Sequence, residues 1–414
     1  MSFSRVFSAK FEHAVARVIE EIGPRPSTGP NQSYLKEAVI VTQCDEQEAI
    51  IPDTTRGTAE FGIHCDALPA DAALPMVMAI ASYVAVFSYV SEYVLMDINF
   101  PITFLSNGKF PGPKFGPQMV PSDNLVRLGV VLKPRFNADI ELLRDFVRKA
   151  SRGKIDYLID DELSVQNNIV SFEKRVSTIM RELRMIEDET GVRPAFIANV
   201  TGDVRAAMAL AEKAMDSGVD GVMVNIFSMG FDVLMELAND QSYRPGVVAN
   251  GLGLGVLTRG PQFRVSTELL VKFARLSGAD AVYTGPMVGL IDSQDHSSTH
   301  FFRALTEGFG PGCDRKASAA VMSGGLGLPE ILKNSSEYTG PMFLSMGYQF
   351  AEYLLAGFDS ELLMECIREV WQGMQEGGID GGRQSVERMA KRGKRYRECL
   401  KSIRAEEAVS HDLQ

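Results

Sequence analysis

The pattern of apolar and polar residues changes near residue 122, and this change predicts two domains. Before it, the strand-like segments AVIVTQCD and AEFGIHCDA alternate β-branched and aromatic residues. An apolar segment beginning at Pro75 predicts a helix, and VLMDINFP predicts a further strand. The Gly- and Pro-rich stretch SNGKFPGPKFGPQMVPSD then predicts a connector. We therefore predict an N-terminal mixed α/β domain over residues 1–122 and a second domain over residues 123–414.

From Leu125 onward, short apolar runs alternate regularly with amphipathic helical segments. The runs are LGVVLKP, IDYLIDDE, AFIANVTGD, GVMVNIF, GVVANGLG, AVYTGP, AAVMSGG and MFLSMG. Between most of them lie helix-like segments such as IELLRDFVRKAS, VRAAMALAEKAMDSG and STELLVKFARLSG, several of which are closed by glycine. Eight βα units in about 230 residues predict a (β/α)8 TIM barrel followed by a C-terminal helical tail. An open doubly wound sheet would need fewer strands and a glycine-rich first loop, whereas the first loop here is KPRFNAD.

Polar side chains occupy the ends of the predicted strands, which is where the active site of such a barrel lies. These residues are Lys133, Arg135, Asp160, Asp161, Glu162, Asn199, Thr201, Asn225, Asn250, Tyr283, Ser323, Gly324, Gly325 and Ser345. Three consecutive acids after a buried strand are costly unless a cation meets them. We expect Lys133 and Arg135, one strand away, to pair with these acids.

Composition and charge narrow the functional classes. The formal net charge of −11 argues against a general nucleic-acid binder. The five cysteines are scattered without a C-x-x-C pair, which is typical of a reducing compartment. The N-terminus has no signal-peptide pattern, and Ser, Tyr and Glu interrupt the longest apolar segment, which favours a packed helix over a membrane span. We expect a cytoplasmic protein that binds neither nucleic acid nor membrane.

The basic stretch RMAKRGKRYRECLKSIR near the C-terminus has two interpretations. The first is a solvated helix face that balances an acidic protein, and this is the interpretation we favour. The alternative is a patch for a partner or a nucleic acid.

The order and spacing of the strand-end motifs resemble the large subunit of RuBisCO. The likeness is carried by LGVVLKP, DYLIDDE, NVTGD and the glycine pair of MSGG. FPGPKFG and VMVN resemble the non-carboxylating relatives, the RuBisCO-like proteins, and the likeness runs from roughly Leu35 to Gly357. The resemblance implies an N-terminal α+β domain of the ferredoxin-like type, a C-terminal barrel and a homodimer. It also implies that each active site takes residues from the N-terminal domain of the partner.

The resemblance implies roles for individual positions, and it implies that the lysine that forms the carbamate has been replaced. The catalytic lysine of the family falls at Lys133, and two carboxylates that bind magnesium fall at Asp161 and Glu162. The lysine that reacts with CO2 to form a metal-binding carbamate falls at Ile159. The chain therefore keeps the catalytic lysine and two carboxylates but lacks the carbamate.

Other residues of the family are replaced as well. The His-Arg pair after the fifth strand falls near Asn250 and Gly251, so the histidine and the phosphate-binding arginine are missing. The histidine that ends the sixth strand is Tyr283, the mobile-loop lysine is Leu290, and the partner-domain asparagine aligns with Tyr83. The resemblance therefore implies that the chain does not carboxylate ribulose bisphosphate.

Two arrangements of the acids remain open from the sequence. In the first, Asp161 and Glu162 hold Mg2+, although this ion prefers about six oxygen ligands and Ile159 offers none. In the second, Lys133 and Arg135 neutralise the acids directly without a metal. Lys133 would then polarise a carbonyl group, and a carboxylate or a tyrosine would move the proton. The candidate tyrosines are Tyr283 and Tyr83.

The expected ligand is a small carbonyl compound with at most one phosphate, because the phosphate-binding arginine is missing. Its predicted contacts are Arg135, Asn199, Asn250, Ser323, Gly324 and Gly325. The serine and the two glycines are candidates because they can present backbone N–H groups to an anion. We predict a RuBisCO-like enzyme that enolises, isomerises, decarboxylates or cleaves this compound. The alternative is a catalytically inactive protein that keeps the fold for binding or as a scaffold.

Overall fold

The computed structural model describes residues 2–7, 39–47, 55–63, 78–79, 81–88, 90–105, 110–133, 139–164, 172–240, 242–287, 299–307, 309, 315–338, 340–355 and 357–409. Its strands are β1 (Ser2–Phe7), β2 (Val39–Gln47), β3 (Thr55–Ile63), β4 (Val90–Asp97), β5 (Val126–Val131), β6 (Tyr157–Ile159), β7 (Ala195–Asn199), β8 (Gly221–Asn225), β9 (Gly246–Asn250), β10 (Phe263–Val265), β11 (Ala281–Tyr283), β12 (Ala319–Ser323) and β13 (Met342–Met346).

Its α-helices are Ile102–Leu105, Ile140–Arg152, Phe172–Thr190, Val204–Ser217, Ile226–Met229, Asp232–Asn239, Gly255–Thr258, Thr267–Leu276, Thr299–Thr306, Leu328–Glu337, Tyr348–Leu355, Ser360–Ala390, Lys394–Ser402 and Ala405–Ala408. Two 3-10 helices span Val84–Val86 and Gly116–Met119. Of the helices in the described ranges, none is long and apolar enough to cross a membrane.

The chain divides into two compact units, and the first contains a five-stranded sheet. This unit comprises residues 1–110, 253–273 and 307–315. Its strand order is β10-β4-β1-β3-β2, in which β1 runs antiparallel to both β3 and β4. The predicted strands in AVIVTQCD, AEFGIHCDA and VLMDINFP are confirmed as β2, β3 and β4, although β4 begins at Val90 rather than Val94. The predicted apolar helix is described only in part.

Residues 253–273 follow the start of the barrel in the chain but group with the first unit. This segment supplies β10, which pairs in parallel with β4 in the sheet of the first unit. The residues QFRVS alternate polar and apolar side chains, but the run is short and does not indicate which sheet it joins. The predicted domain boundary at residues 122 and 123 stays a prediction.

The second unit contains the predicted barrel. Eight parallel strands close in the order β11-β12-β13-β5-β6-β7-β8-β9, and β11 pairs with β9 to complete the ring. All eight apolar runs are confirmed as strands. The three quoted helical segments between them are confirmed as Ile140–Arg152, Val204–Ser217 and Thr267–Leu276. Two of these helices begin at side-chain caps: Asp139 accepts a hydrogen bond from the N–H of Glu141, and Asp203 accepts one from the N–H of Ala206.

Apolar side chains fill the barrel interior. They include Val131, Tyr157, Ile159, Ile197, Met223, Val248, Val321 and Phe343, all buried in one cluster. Gly129 on β5 makes room for the ring of Tyr157, because a Cβ there would lie 2.2 Å from the ring. The interior is therefore a packed core, and chemistry is confined to the rim above it.

The Gly- and Pro-rich connector closes the opposite end of the barrel. Met119 and Val120 belong to the same buried cluster. Asp280, fully buried just before β11, accepts hydrogen bonds from the N–H groups of Phe115 and Gly116, both at 2.7 Å. Gly116 has φ +60°, and a Cβ there would lie 2.3 Å from the carbonyl oxygen of Ala317. One buried carboxylate and one obligatory glycine thus hold the connector in place.

The basic C-terminal stretch is helical, and its arginines pair with acids of the same unit. Arg388 contacts Glu369 at 2.8 Å, and Arg395 contacts Asp359 at 2.7 Å. Both arginines are exposed, as the solvated-face interpretation predicted. Exposed pairs of this kind add little stability, at most about 1 kcal/mol each.

We predict that Asp280→Asn destabilises the protein by about 2–4 kcal/mol, because the amide offers one acceptor oxygen where the carboxylate offers two. The second carboxylate oxygen accepts from the N–H of Val247 at 2.9 Å, so the substitution turns an NH2 group toward a backbone donor. Urea unfolding measures the change, with Asp123→Asn at an exposed position as the matched control. Equal unfolding free energies for the two variants would contradict the assignment of Asp280 as the clamp.

Candidate active site

The two aspartates that follow β6 point to opposite sides of the strand end. Successive side chains of an extended chain alternate, and Tyr157 and Ile159 point into the barrel interior. Asp161 therefore faces the rim of the barrel, and Asp160 faces outward. Both are buried, with exposed fractions of 1% for Asp160 and 0% for Asp161. Each buried carboxylate therefore needs its own cation or its own hydrogen-bond donors.

Lys133 is the cation that pairs with Asp161. Its ammonium group forms an ion pair with Oδ2 of Asp161, and only 8% of Lys133 is exposed. The other oxygen, Oδ1, accepts a hydrogen bond from the N–H of Leu163 at 2.9 Å. The strand register sets this contact, since Val131 of β5 lies beside Ile159 of β6. The predicted pairing of Lys133 is thus confirmed for one of the three acids, Asp161.

The cation that meets Asp160 was not predicted. Arg175, on helix Phe172–Thr190, forms an ion pair with Oδ1 of Asp160, while Oδ2 accepts from the N–H of Asn199 at 2.9 Å. Burial raises the pKa of Asp160, and the charge of Arg175 and the bond from Asn199 act in the opposite direction. Arg135, the partner we expected, lies outside the described residues.

The sequence does contain a signal for Arg175. It stands three residues after Phe172 and four before Ile179, both of which are buried, so helical spacing places it on the inner face. An arginine on the buried face of a helix needs an acidic or carbonyl partner. Its guanidinium also lies 5.6 Å from the centre of the Phe172 ring.

The described residues do not fit a magnesium ion. Ile159 presents a fully buried apolar side chain at the position where an anionic ligand would be needed. Asp161 already faces an ammonium group, and Asp160 is turned toward Arg175. Glu162 is the remaining acid at this strand end, and the described part of the chain holds no group of three His, Cys, Asp or Glu side chains arranged for a metal. A hard divalent ion needs more oxygen ligands than this.

The asparagines at the strand ends bond to the protein itself. Asn199 donates to the carbonyl oxygens of Asp161 at 3.2 Å and Glu162 at 3.1 Å, and it accepts from the N–H of Thr201 at 3.0 Å. Asn250 accepts from the N–H of Leu252 at 2.7 Å. Both side chains hold the loops in place, so the ligand contacts we expected from them stay predictions.

Tyr283 lies at the top of the packed interior, close to the carboxylates. Its hydroxyl is buried, and the hydroxyl of Ser323 is its hydrogen-bonding neighbour. Burial raises the pKa of Tyr283 well above 10, and the negative charge of Glu162 raises it further, whereas the nearby Ser323 hydroxyl lowers it. The phenol therefore stays protonated at neutral pH and is available as a donor.

The glycine turn after β12 has the conformation that its sequence suggests. Gly324 has φ +114° and Gly325 has φ +72°, values that favour glycine. This turn follows Ser323 at the barrel rim, where β12 pairs with β13 at Ser345. Ser345 is itself engaged, since its hydroxyl lies 2.7 Å from that of Tyr157.

Two further predicted residues cannot be joined to this site. Tyr83 belongs to the N-terminal unit, is 46% exposed and packs its ring edge-on to Phe87 at 5.4 Å. Leu290 lies outside the described residues. The catalytic role of Tyr83 stays a prediction.

Comparison with known proteins agrees with this architecture. The family "Ribulose bisphosphate carboxylase large chain, catalytic domain" matches residues 117–309. A 2,3-diketo-5-methylthiopentyl-1-phosphate enolase of Geobacillus kaustophilus is 29% identical over 52% of this chain and 53% of its own length. A ribulose bisphosphate carboxylase-like protein of Archaeoglobus fulgidus is 31% identical over 50% of this chain and 49% of its own length. The chain thus spans about half the length of the curated relatives that it matches.

Solved structures extend the likeness of the fold to nearly the whole chain. A rubisco-like protein (MtnW) from Alicyclobacillus acidocaldarius superimposes with a TM-score of 0.81 over 98% of both chains, at 17% identity. A rubisco-like protein from Burkholderia fungorum gives a TM-score of 0.82 over 97% of this chain and 98% of its own, at 18% identity. The predicted α/β fold class is thereby confirmed. Residues 117–309 thus match the catalytic domain of the ribulose bisphosphate carboxylase large chain, and nearly the whole chain shares the fold of the rubisco-like proteins.

Proposed function

We propose that the protein is a RuBisCO-like enzyme that enolises a small carbonyl compound and does not fix CO2. The observation that carries this proposal is the buried ion pair of Lys133 with Asp161 at the carboxyl end of the barrel strands. It provides a fixed positive charge at the rim, where the substrates of such barrels bind. A fixed positive charge in a site shielded from water strongly stabilises a developing oxyanion.

In the proposed reaction, the carbonyl oxygen of the substrate accepts a hydrogen bond from the Lys133 ammonium group. Asp161 holds this ammonium group in place through Oδ2, while Oδ1 accepts a hydrogen bond from the backbone N–H of Leu163 and so fixes the carboxylate. When a base removes the proton from the neighbouring carbon, negative charge moves to the oxygen, and Lys133 stabilises it. Glu162 is the candidate base, because it is only half buried and lies near Tyr283.

Tyr283 then acts as a hydrogen-bond donor to the enolate oxygen rather than as the base. Its raised pKa keeps the proton on the phenol, and its buried hydroxyl lies beside the hydroxyl of Ser323. A protonated phenol at the rim can donate a hydrogen bond to a ligand oxygen. This supports a donor role for Tyr283.

The names of the relatives support enolisation over isomerisation, decarboxylation or cleavage. Several similar proteins are named as enolases of 2,3-diketo-5-methylthiopentyl-1-phosphate, a diketone with one phosphate. A ligand of this class meets the limit of one phosphate expected from the sequence. We propose this class of substrate, a small carbonyl compound with at most one phosphate, and not this particular compound.

A second candidate function is a non-catalytic protein that keeps the barrel for binding. The observation that favours it is the burial of the site, since Lys133 is mostly covered and the interior below it is packed with side chains. In this case the Lys133–Asp161 pair is a structural ion pair. The first experiment below separates the two candidates.

We also propose that the protein works as a homodimer with shared active sites, which would give Tyr83 of one protomer access to the site of the other. The support is the assembly stated for two structural neighbours, a dimeric archaeal Rubisco from Hyperthermus butylicus and an octameric Rubisco from Pyrococcus horikoshii.

We predict that Lys133→Met lowers the rate of enolisation by about a hundredfold or more, because the charge on the enolate oxygen loses its partner. The measurement is proton–deuterium exchange at the carbon beside the carbonyl group, followed by NMR in D2O. The probes are 2,3-diketo-5-methylthiopentyl-1-phosphate, dihydroxyacetone phosphate and the uncharged ketone acetoin. Lys149→Met, at an exposed position in helix Ile140–Arg152, is the matched control.

Two outcomes would count against this assignment. Exchange by Lys133→Met at the rate of the natural protein would show that Lys133 is not catalytic. No exchange of any probe by the natural protein would favour the non-catalytic candidate. Since a buried acid that loses its cation costs several kcal/mol, the double variant Lys133→Met with Asp161→Asn provides a folded comparison.

We also predict that the protein does not incorporate labelled CO2 into ribulose bisphosphate. The carbamate position is Ile159, which is fully buried in the apolar interior, and the phosphate-binding arginine is replaced near Gly251. Changing Ile159→Lys alone leaves the phosphate arginine and the mobile-loop lysine missing, so this variant should also be inactive. Fixation above the level of an enzyme-free blank by either protein would contradict the prediction.

A further inference from the structure

The site contains two adjacent buried carboxylates, and each has a different cation. Asp161 faces Lys133 on the rim of the barrel, and Asp160 faces Arg175 on the outside. Two neighbouring buried negative charges repel each other, and each competes for any cation within reach. The assignment of Lys133 to Asp161 alone therefore depends on Asp160 being neutralised from elsewhere.

Arg175 belongs to a short chain of contacts that ends at the reacting groups. It pairs with one oxygen of Asp160, and the other oxygen accepts from the backbone N–H of Asn199. The side-chain amide of Asn199 donates to the carbonyl oxygens of Asp161 and Glu162. These contacts fix the backbone of the strand end on which the proposed catalytic acids stand.

We infer that Arg175 is a positioning residue: it holds Asp160 outside the site and so reserves Lys133 for Asp161. Arg175 itself is not a catalytic residue, because Asp160 and the strand end lie between it and the rim. Its guanidinium is well placed for this role, since 12% of the side chain is exposed and the ring of Phe172 packs beside it. The inference rests on the proposed function in one respect, the catalytic role of Lys133.

Removal of the Arg175 guanidinium should weaken the contact between Lys133 and Asp161. Without Arg175, the carboxylate of Asp160 is left buried without its cation, and the strand end that carries it is drawn outward toward solvent. This movement loosens the Lys133–Asp161 pair. Lys133 is only 8% exposed in that pair, so an amine reagent reaches it faster once the pair has opened.

The test measures the rate at which acetic acid N-hydroxysuccinimide ester acetylates Lys133, followed by peptide mass spectrometry. We expect Arg175→Gln to raise this rate by about tenfold, which corresponds to a pair weaker by about 1.4 kcal/mol. Arg175→Lys should stay near the rate of the natural protein, since it retains the charge. Arg181→Gln, on the exposed face of the same helix, is the matched control and should leave the rate unchanged. Acetylation of the exposed Lys149 in the same samples corrects for the dose of reagent, and far-UV circular dichroism reports any general loss of structure.

A double variant separates positioning from a merely structural role. Asp160→Asn with Arg175→Gln removes both charges, while the asparagine oxygen can still accept from the N–H of Asn199. If Arg175 acts by neutralising Asp160, the double variant should return Lys133 to the slow rate of the natural protein. The inference is overturned if Arg175→Gln leaves the rate unchanged while stability falls, or if the double variant is as reactive as Arg175→Gln. The assay needs no substrate, so its failure is distinct from a failure of the proposed enolisation.

Discussion

The site depends on one interaction, the buried ion pair between Lys133 and Asp161. A carboxylate with no exposed surface must be paired with a cation or satisfied by hydrogen-bond donors, because an uncompensated buried charge costs several kcal/mol. In this chain the cation is an ammonium group on the neighbouring strand, in register with the carboxylate. The apolar side chain of Ile159 removes the ligand that a divalent ion would need, and Lys133 supplies a positive charge without one.

The surrounding structure supports this pair from several sides. The packed interior below it fixes the strand ends, and the connector held by Asp280 closes the far end of the barrel. Arg175 takes up the second carboxylate, Asp160, on the outer side of the strand. Tyr283 adds a buried phenol whose raised pKa keeps its proton in place. In our account these features make a site suited to stabilising an enolate by fixed charge and hydrogen bonds.

The sequence predicted the barrel and its rim but not the contacts that hold the rim together. Periodic apolar runs identify strands directly, and the strand ends then follow from the geometry of parallel sheets, so Lys133 and Asp161 could be paired in advance. Arg175 could not be found in this way because it stands on a helix and not at a strand end. The pairing of β10 could not be found because its partner, β4, is distant in sequence. Asn199 was expected to bind a ligand, but its amide is used by the backbone of Asp161 and Glu162.

We conclude that Lys133, and not a metal ion, is the cation that Asp161 contacts. Anomalous scattering from crystals soaked in millimolar Mn2+ tests it directly. Our account predicts no anomalous peak within about 2.5 Å of the carboxylates of Asp161 and Glu162, with the ammonium group of Lys133 still in contact with Asp161. An ordered manganese ion bound to these two carboxylates, with Lys133 displaced, would contradict it.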